Sequence, residues 1–140
     1  MNRLFFVFVL LISFSSCKTD DKKEAPKELI MREQSEMAVL MNKMFDENEK
    51  IKREILNGEI PQGFPDHYLK IHSATLTDPT DRTPQFKVFS DVYLKNLKDV
   101  FETNEESLKN KFNATINSCI ACHQTTCLGP IPRIKKLLIK

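Results

Sequence analysis

The sequence predicts an all-α protein, an antiparallel four-helix bundle, from three observations. Apolar residues recur at steps of three and four over long stretches, which is the period of a helix with one buried face. No stretch of useful length alternates as a half-buried strand does. The linkers between the predicted helices are short to moderate, as in antiparallel bundles. With 140 residues, 41% of them hydrophobic, the chain can bury one core and predicts one domain.

The first residues predict an export signal. Arg3 precedes an apolar run, Leu4 to Phe14, which is followed by small residues and Cys17. The eleven residues of that run are too few to cross the roughly 30 Å of hydrocarbon in a bilayer. The end of the segment, "FSSC", resembles the lipobox of bacterial lipoproteins, which implies removal of residues 1–16 and acylation of Cys17. The alternative is an ordinary secretory signal cut nearby, with Cys17 an incidental thiol.

The residues after the signal predict a tether and a nearly neutral domain. Residues 17–26 are charged without apolar periodicity, so we expect a flexible tether before a helical domain over residues 27–140. Removing residues 1–16 deletes one base, Arg3, and leaves 20 basic against 19 acidic residues. We therefore expect no nucleic-acid partner, since phosphate binding needs an excess of base.

Three helices are predicted before the cysteine-rich end of the chain. The first spans residues 27–56 and ends at Asn57-Gly58. A short helix is expected over residues 66–74, and a third over residues 85–102, each preceded by a proline-containing loop. The apolar positions of the first helix are Ile30, Met37, Met41, Met44, Ile51 and Ile55, and those of the third are Phe86, Phe89, Tyr93, Leu97 and Val100.

A fourth helix is predicted to begin after Thr103 and to stop before Gly129-Pro130. Thr103 and Glu106 have the spacing of a capping box, with Thr103 as the cap. Cysteines and a histidine close the last turns of this helix. The remaining tail, "IPRIKKLLIK", reads either as a short amphipathic helix or as a solvated basic cap. We favour the basic cap, because charge runs usually face water.

Residues 119–123, "CIACH", match C-x-x-C-H, the attachment motif of c-type haem. The two thiols, two residues apart, match the spacing of the porphyrin vinyl groups to which they add. The adjacent imidazole then reaches the iron as its proximal ligand. The motif predicts one covalent haem c, held by Cys119, Cys122 and His123.

These cysteines have three alternative interpretations. Zinc could in principle take Cys119, Cys122, His123 and Cys127, although consecutive Cys122 and His123 are badly placed for one tetrahedron. A redox C-x-x-C belongs at the start of a helix in a βαβ unit, and this one lies at a helix end with no predicted strands. A disulfide between Cys119 and Cys122 closes too small a loop to add much stability.

A four-helix bundle with C-x-x-C-H in its last helix resembles the class II c-type cytochromes, the cytochrome c-prime family. The resemblance covers roughly Lys27 to Gln124, and "EQSEMAVLM" is similar to the family's first helix. Class I cytochromes instead carry the motif early and a methionine ligand downstream, whereas no Met or His follows His123 here. The resemblance implies a distal ligand from the first helix, namely Met37 or, as the alternative, Met41. Core filling by these methionines would leave the iron without this ligand.

Several other residues have two interpretations. His67 and His72 read as surface histidines, with a bis-His iron site as the alternative. Cys127 reads as a buried inert thiol, with a reactive thiol that tunes the proximal side of the haem as the alternative. The aromatic residues Phe45, Phe89, Phe101 and Phe112 are expected to pack against the porphyrin or to fill the core.

The resulting functional prediction is a monohaem electron carrier, not an enzyme, exported and anchored to a bacterial membrane by lipid on Cys17. Its expected partners are redox proteins in the periplasm or at the cell surface, and a homodimer is a further expectation from the family. The first alternative is a five-coordinate haem that binds nitric oxide or carbon monoxide. The second is a haem-free zinc-binding lipoprotein.

Overall fold

The computed structural model describes residues 33–140, in which every regular element is helical. The predicted all-α class is therefore confirmed. The predicted signal peptide (1–16), the lipid site Cys17, the tether (17–26) and the first residues of the predicted first helix lie outside the described residues. Within the described part of the chain, no helix is long and apolar enough to span a bilayer.

Helix α1 spans Glu36–Leu56, so it begins later than predicted. Ser35 is its cap, because the Ser35 hydroxyl accepts a hydrogen bond from the Ala38 N–H at 3.1 Å and satisfies a donor with no partner inside the helix. The predicted end is confirmed, since Asn57 caps the helix and Gly58 follows with φ +78°. The face turned to the core carries Met37, Leu40, Met44, Asn48 and Ile51.

The predicted short second helix is a 3-10 helix, Asp66–His72, and not an α-helix. Tyr68 and Ile71 are its buried residues, and their separation of three matches the three residues per turn of this helix type. A second 3-10 turn, Pro79–Asp81, precedes α2. The Arg82 guanidinium then ties the loop to the first 3-10 helix by donating to the carbonyls of His72 and Ala74.

Helices α2 (Pro84–Phe101) and α3 (Glu105–His123) form the largest helix–helix contact of the described residues. Thr83 caps α2 by accepting from the Phe86 N–H at 3.1 Å. The predicted cap of α3 is wrong by one residue. Asn104, not Thr103, accepts from the Ser107 N–H, at 3.3 Å, because the capping side chain must belong to the residue directly before the first helical turn.

The tail folds back onto α1 and α3 as a short helix, α4 (Ile131–Ile134), followed by a 3-10 turn, Lys135–Leu137. Ile134, Leu137 and Ile139 are buried, so the expectation of a solvated basic cap is wrong. Asn113 anchors this tail, since its amide donates to the Ile139 carbonyl at 2.8 Å and accepts from the Ile139 N–H at 2.9 Å. Burial of these apolar side chains therefore determines the position of the tail, in spite of its run of lysines.

Candidate functional site

A cavity of about 350 Å³ lies between α1, α2, the end of α3 and the tail, and we call it the central cavity. Its volume falls in the range of small-molecule and cofactor sites. Two residues of the C-x-x-C-H motif, Cys119 and His123, line this cavity together with Met41 and Met44. The full lining is Met41, Asn42, Met44, Phe45, Asn48, Tyr93, Cys119, His123, Gly129, Pro130, Arg133, Ile134 and Leu137.

His123 is the last residue of α3, and the turn that follows holds its ring. The His123 carbonyl accepts from the Cys127 N–H at 3.2 Å, and His123 Nδ1 lies 2.9 Å from the Cys127 carbonyl oxygen. Because a carbonyl can only accept, Nδ1 must be the donor and must carry the proton. In the neutral ring, the lone pair of Nε2 is then available to a metal. This is the tautomer of a histidine that ligates iron through Nε2, with a carbonyl fixing the other nitrogen.

Cys119 and Cys122 lie one turn apart on α3, and both are partly buried free thiols. Burial raises the pKa of Cys119 to about 12 and also raises the pKa of Cys122. A redox C-x-x-C requires the opposite, a thiol pKa lowered by the start of a helix. The alternative of a disulfide between Cys119 and Cys122, which the sequence analysis disfavours, also has no support, since the two thiols are unpaired. Cys119 lines the central cavity, whereas Cys122 is not among its lining residues.

The geometry does not favour zinc. Within residues 33–140, no three His, Cys, Asp or Glu side chains are grouped closely enough to hold a metal ion. The fourth predicted zinc ligand, Cys127, has an exposed side chain. This exposure also corrects the expectation of a buried thiol. Only the backbone of Cys127 reaches the site, through the carbonyl that holds His123.

The structure separates the predicted distal candidates. Met41 and Met44 line the central cavity, but Met37 is not one of the described residues that line it. Met37 lies one turn, about 6 Å, nearer the start of α1, where its N–H donates to the Thr75 carbonyl at 3.0 Å. Its side chain is 6% exposed and belongs to the hydrophobic core.

The predicted histidine alternatives lie outside the central cavity. His67 Nε2 is 2.8 Å from a Glu47 oxygen, and His72 Nε2 is 3.4 Å from an Asp91 oxygen. Both side chains are partly solvent-exposed, as expected of surface histidines. Neither is among the residues that line the cavity, so the arrangement gives no support to a bis-His site.

The four predicted aromatic residues divide into two groups. Phe45 lines the central cavity, and the Arg133 guanidinium lies 3.7 Å from the centroid of its ring. Phe112 is fully buried in the core, while Phe101 is partly buried and packs edge-on against Phe64. Phe89 is also partly buried and does not line the cavity.

Part of the central cavity wall is polar, and the sequence analysis did not predict it. Asn48 is 2% exposed, and its amide nitrogen donates to the Met44 carbonyl at 2.7 Å and to the Tyr93 hydroxyl at 3.1 Å. Its Oδ1 is buried without a hydrogen-bond partner among the described residues. Buried acceptors without partners are rare and often lie at functional sites. An asparagine four residues after Met44, on an otherwise apolar face, is the sequence signal that could have revealed it.

In comparisons with protein-family models, with curated proteins and with solved structures, the chain has no significant match. What the site can do is therefore inferred from its own residues.

Proposed function

We propose that the chain is a monohaem c-type cytochrome that carries single electrons. The observation that carries this proposal is His123, whose Nδ1 proton is held by the Cys127 carbonyl while its ring lines an apolar cavity beside Cys119. The donor set fits haem: two free thiols one turn apart for the vinyl groups, and one imidazole with an available Nε2 for the iron. When bound, the haem supplies a reversible one-electron couple of its iron, and no catalytic acid or base is needed.

The proposed arrangement is a bundle of the class II cytochrome type. In it, α1, the 3-10 helix Asp66–His72, α2 and α3 correspond to the four helices of that family. The tail departs from the family, because the resemblance ends near Gln124 and the tail supplies Gly129, Pro130, Arg133, Ile134 and Leu137 to the cavity wall. Burial of Ile134 and Leu137 would keep water from that side of the haem, which favours the less charged ferrous state.

We propose Met41 as the distal ligand in place of Met37. Met41 lines the cavity that also contains His123, whereas the Met37 side chain is part of the core. If Met41 bound the iron together with His123, its thioether would stabilise ferrous iron and raise the reduction potential. If Met41 only fills space, the haem iron would keep a free position for nitric oxide or carbon monoxide, which is the alternative function.

The test is expression of the mature domain with haem-attachment machinery, followed by optical spectroscopy and acid-acetone extraction. We expect a red protein whose haem resists extraction. Cys119→Ser should weaken attachment and His123→Ala should abolish the native spectrum, while Cys127→Ser, a matched cysteine control with an exposed side chain, should change neither. A colourless product, or haem removed completely by acid acetone, contradicts the proposal.

The same spectra separate the two haem functions. A low-spin ferric spectrum with a methionine-to-iron charge-transfer band supports the carrier. A high-spin spectrum, with a ferrous form that shifts on adding carbon monoxide, supports the gas-binding alternative.

Export and lipid anchoring at Cys17 are part of the proposal. Labelled palmitate should be incorporated into the full chain and lost in Cys17→Ser. Retention of the label in this variant would contradict acylation at Cys17.

A further inference from the structure

The tail and α1 border a second depression, an open groove of about 610 Å³ that we call the basic groove. Four of its lining residues are lysines and none has an acidic side chain. Its remaining lining residues are apolar, and one of them, Leu56, is 60% exposed. The full lining is Lys52, Leu56, Lys135, Lys136, Leu138, Ile139 and Lys140.

The charge of this groove is not balanced locally. Lysines elsewhere on α1 and α2 form salt bridges with a carboxylate one turn away, as in Lys43–Glu47, Lys50–Glu54, Lys87–Asp91, Lys95–Asp99 and Lys98–Glu102. The four groove lysines form no salt bridge with any side chain described in residues 33–140. The Lys52 ammonium instead donates to the carbonyls of Lys136 and Leu138, at 2.7 and 3.1 Å.

The groove and the central cavity share the tail as a wall. Lys135 and Lys136 precede Leu137 on one 3-10 turn, and Leu137 lines the central cavity. A molecule seated among these lysines is therefore separated from the cavity by a single short segment of chain. Electron transfer through a protein requires such closeness between the donor and the docked acceptor.

We propose that the basic groove docks an acidic segment of a redox partner protein, an inference that rests on the electron-carrier function proposed above. Four uncompensated lysines around an apolar floor match a carboxylate-rich segment with an apolar side chain. The chain's own residues 17–32 are a poor occupant, because they carry five basic and four acidic residues. A flat anionic membrane is also less suitable, since a concave groove receives a protruding segment.

The experiment compares two double variants that remove the same charge. Lys135→Gln/Lys136→Gln alters the groove, and Lys87→Gln/Lys95→Gln alters the exposed face of α2. Decaglutamate is titrated into each protein and followed by NMR chemical shifts. In a second measurement, each ferrous protein reduces hexacyanoferrate(III), so that one electron leaves the haem iron and produces hexacyanoferrate(II).

We expect decaglutamate to shift the groove resonances of the wild type and the α2 variant, but not those of the groove variant. The hexacyanoferrate reaction should be about threefold to tenfold slower in the groove variant at low ionic strength, with the difference shrinking in salt. Equal behaviour of the two double variants would overturn the proposal. So would groove-dependent binding to phosphatidylglycerol vesicles without decaglutamate binding, because it would identify a lipid surface. The decaglutamate titration does not require haem. A colourless protein would therefore refute the carrier function, and the titration would still test peptide binding by the groove.

Discussion

Replacing the methionines of α1 one at a time separates an iron ligand from core side chains. Met37 and Met44 are 6% and 5% exposed, while Met41 is half-buried. Truncation of a buried methionine to alanine typically lowers the free energy of unfolding by about 2–5 kcal/mol. For Met41→Ala, which removes a less buried side chain, we expect lost packing to lower the free energy of unfolding by about 1–2 kcal/mol. Loss of a bond to iron would add to this amount.

Leucine variants isolate ligation from packing. A change of methionine to leucine nearly conserves volume and typically costs less than about 1.5 kcal/mol, yet leucine cannot bind iron. We expect Met41→Leu to lose the methionine-to-iron band and to become high-spin, and Met37→Leu and Met44→Leu to keep the band. Met37→Ala should destabilise the protein by about 2–5 kcal/mol in urea unfolding without changing the spectrum.

One result refutes this reasoning directly. If Met37→Leu loses the band and Met41→Leu keeps it, then Met37 reaches the iron and the core packing described for it does not hold in the haem-loaded protein. If all three leucine variants keep the wild-type spectrum, no methionine of α1 is a ligand.

Three further predictions follow from the geometry around the site. In the mature haem-loaded protein, iodoacetamide should label exposed Cys127 but neither Cys119 nor Cys122, as measured by peptide mass; a label on Cys119 or Cys122 would mean that thioether formation was incomplete. Burial raises the pKa of Tyr68 and of Tyr93, which favours the neutral phenol in the folded state. Stability should therefore be constant below the unfolded value of about 10 and fall above it, by up to about 1.4 kcal/mol per pH unit for each tyrosine. Tyr93→Phe should flatten this alkaline slope in urea unfolding, and an unchanged slope would contradict the assignment. Asn104→Ala should lower the free energy of unfolding by about 1 kcal/mol, because it removes the helix cap, and Thr103→Ala should lower it much less. A larger loss in Thr103→Ala than in Asn104→Ala would show that Thr103 is the cap, as the sequence predicts.

The residues that sequence analysis interpreted correctly depend on local physical chemistry. Helical periodicity is set by which side chains face one side of a single segment, so the all-α class, the bounds of α2 and the approximate start of α3 were predictable, whereas α3 ends at His123 and not just before Gly129 as predicted. Asn57-Gly58 stops α1 because glycine readily takes positive φ. The haem motif is also contained in five consecutive residues, and the cofactor it indicates stays a prediction from those residues.

Only the tertiary structure decided which side chains meet. The sequence places Met37, Met41 and Met44 on one helical face, but neighbouring elements determine that Met41 and Met44 line the central cavity and that Met37 fills the core. The tail reads as a charged cap until burial of its isoleucines and its hydrogen bonds to Asn113 are seen. Cys127 contacts the His123 ring through its backbone carbonyl, and a pattern of side chains cannot predict a backbone contact. Periodicity and short motifs are local, so the sequence alone determined the helices and the haem motif. Long-range packing and backbone contacts depend on the whole fold, so only the tertiary structure decided which residues line the cavity.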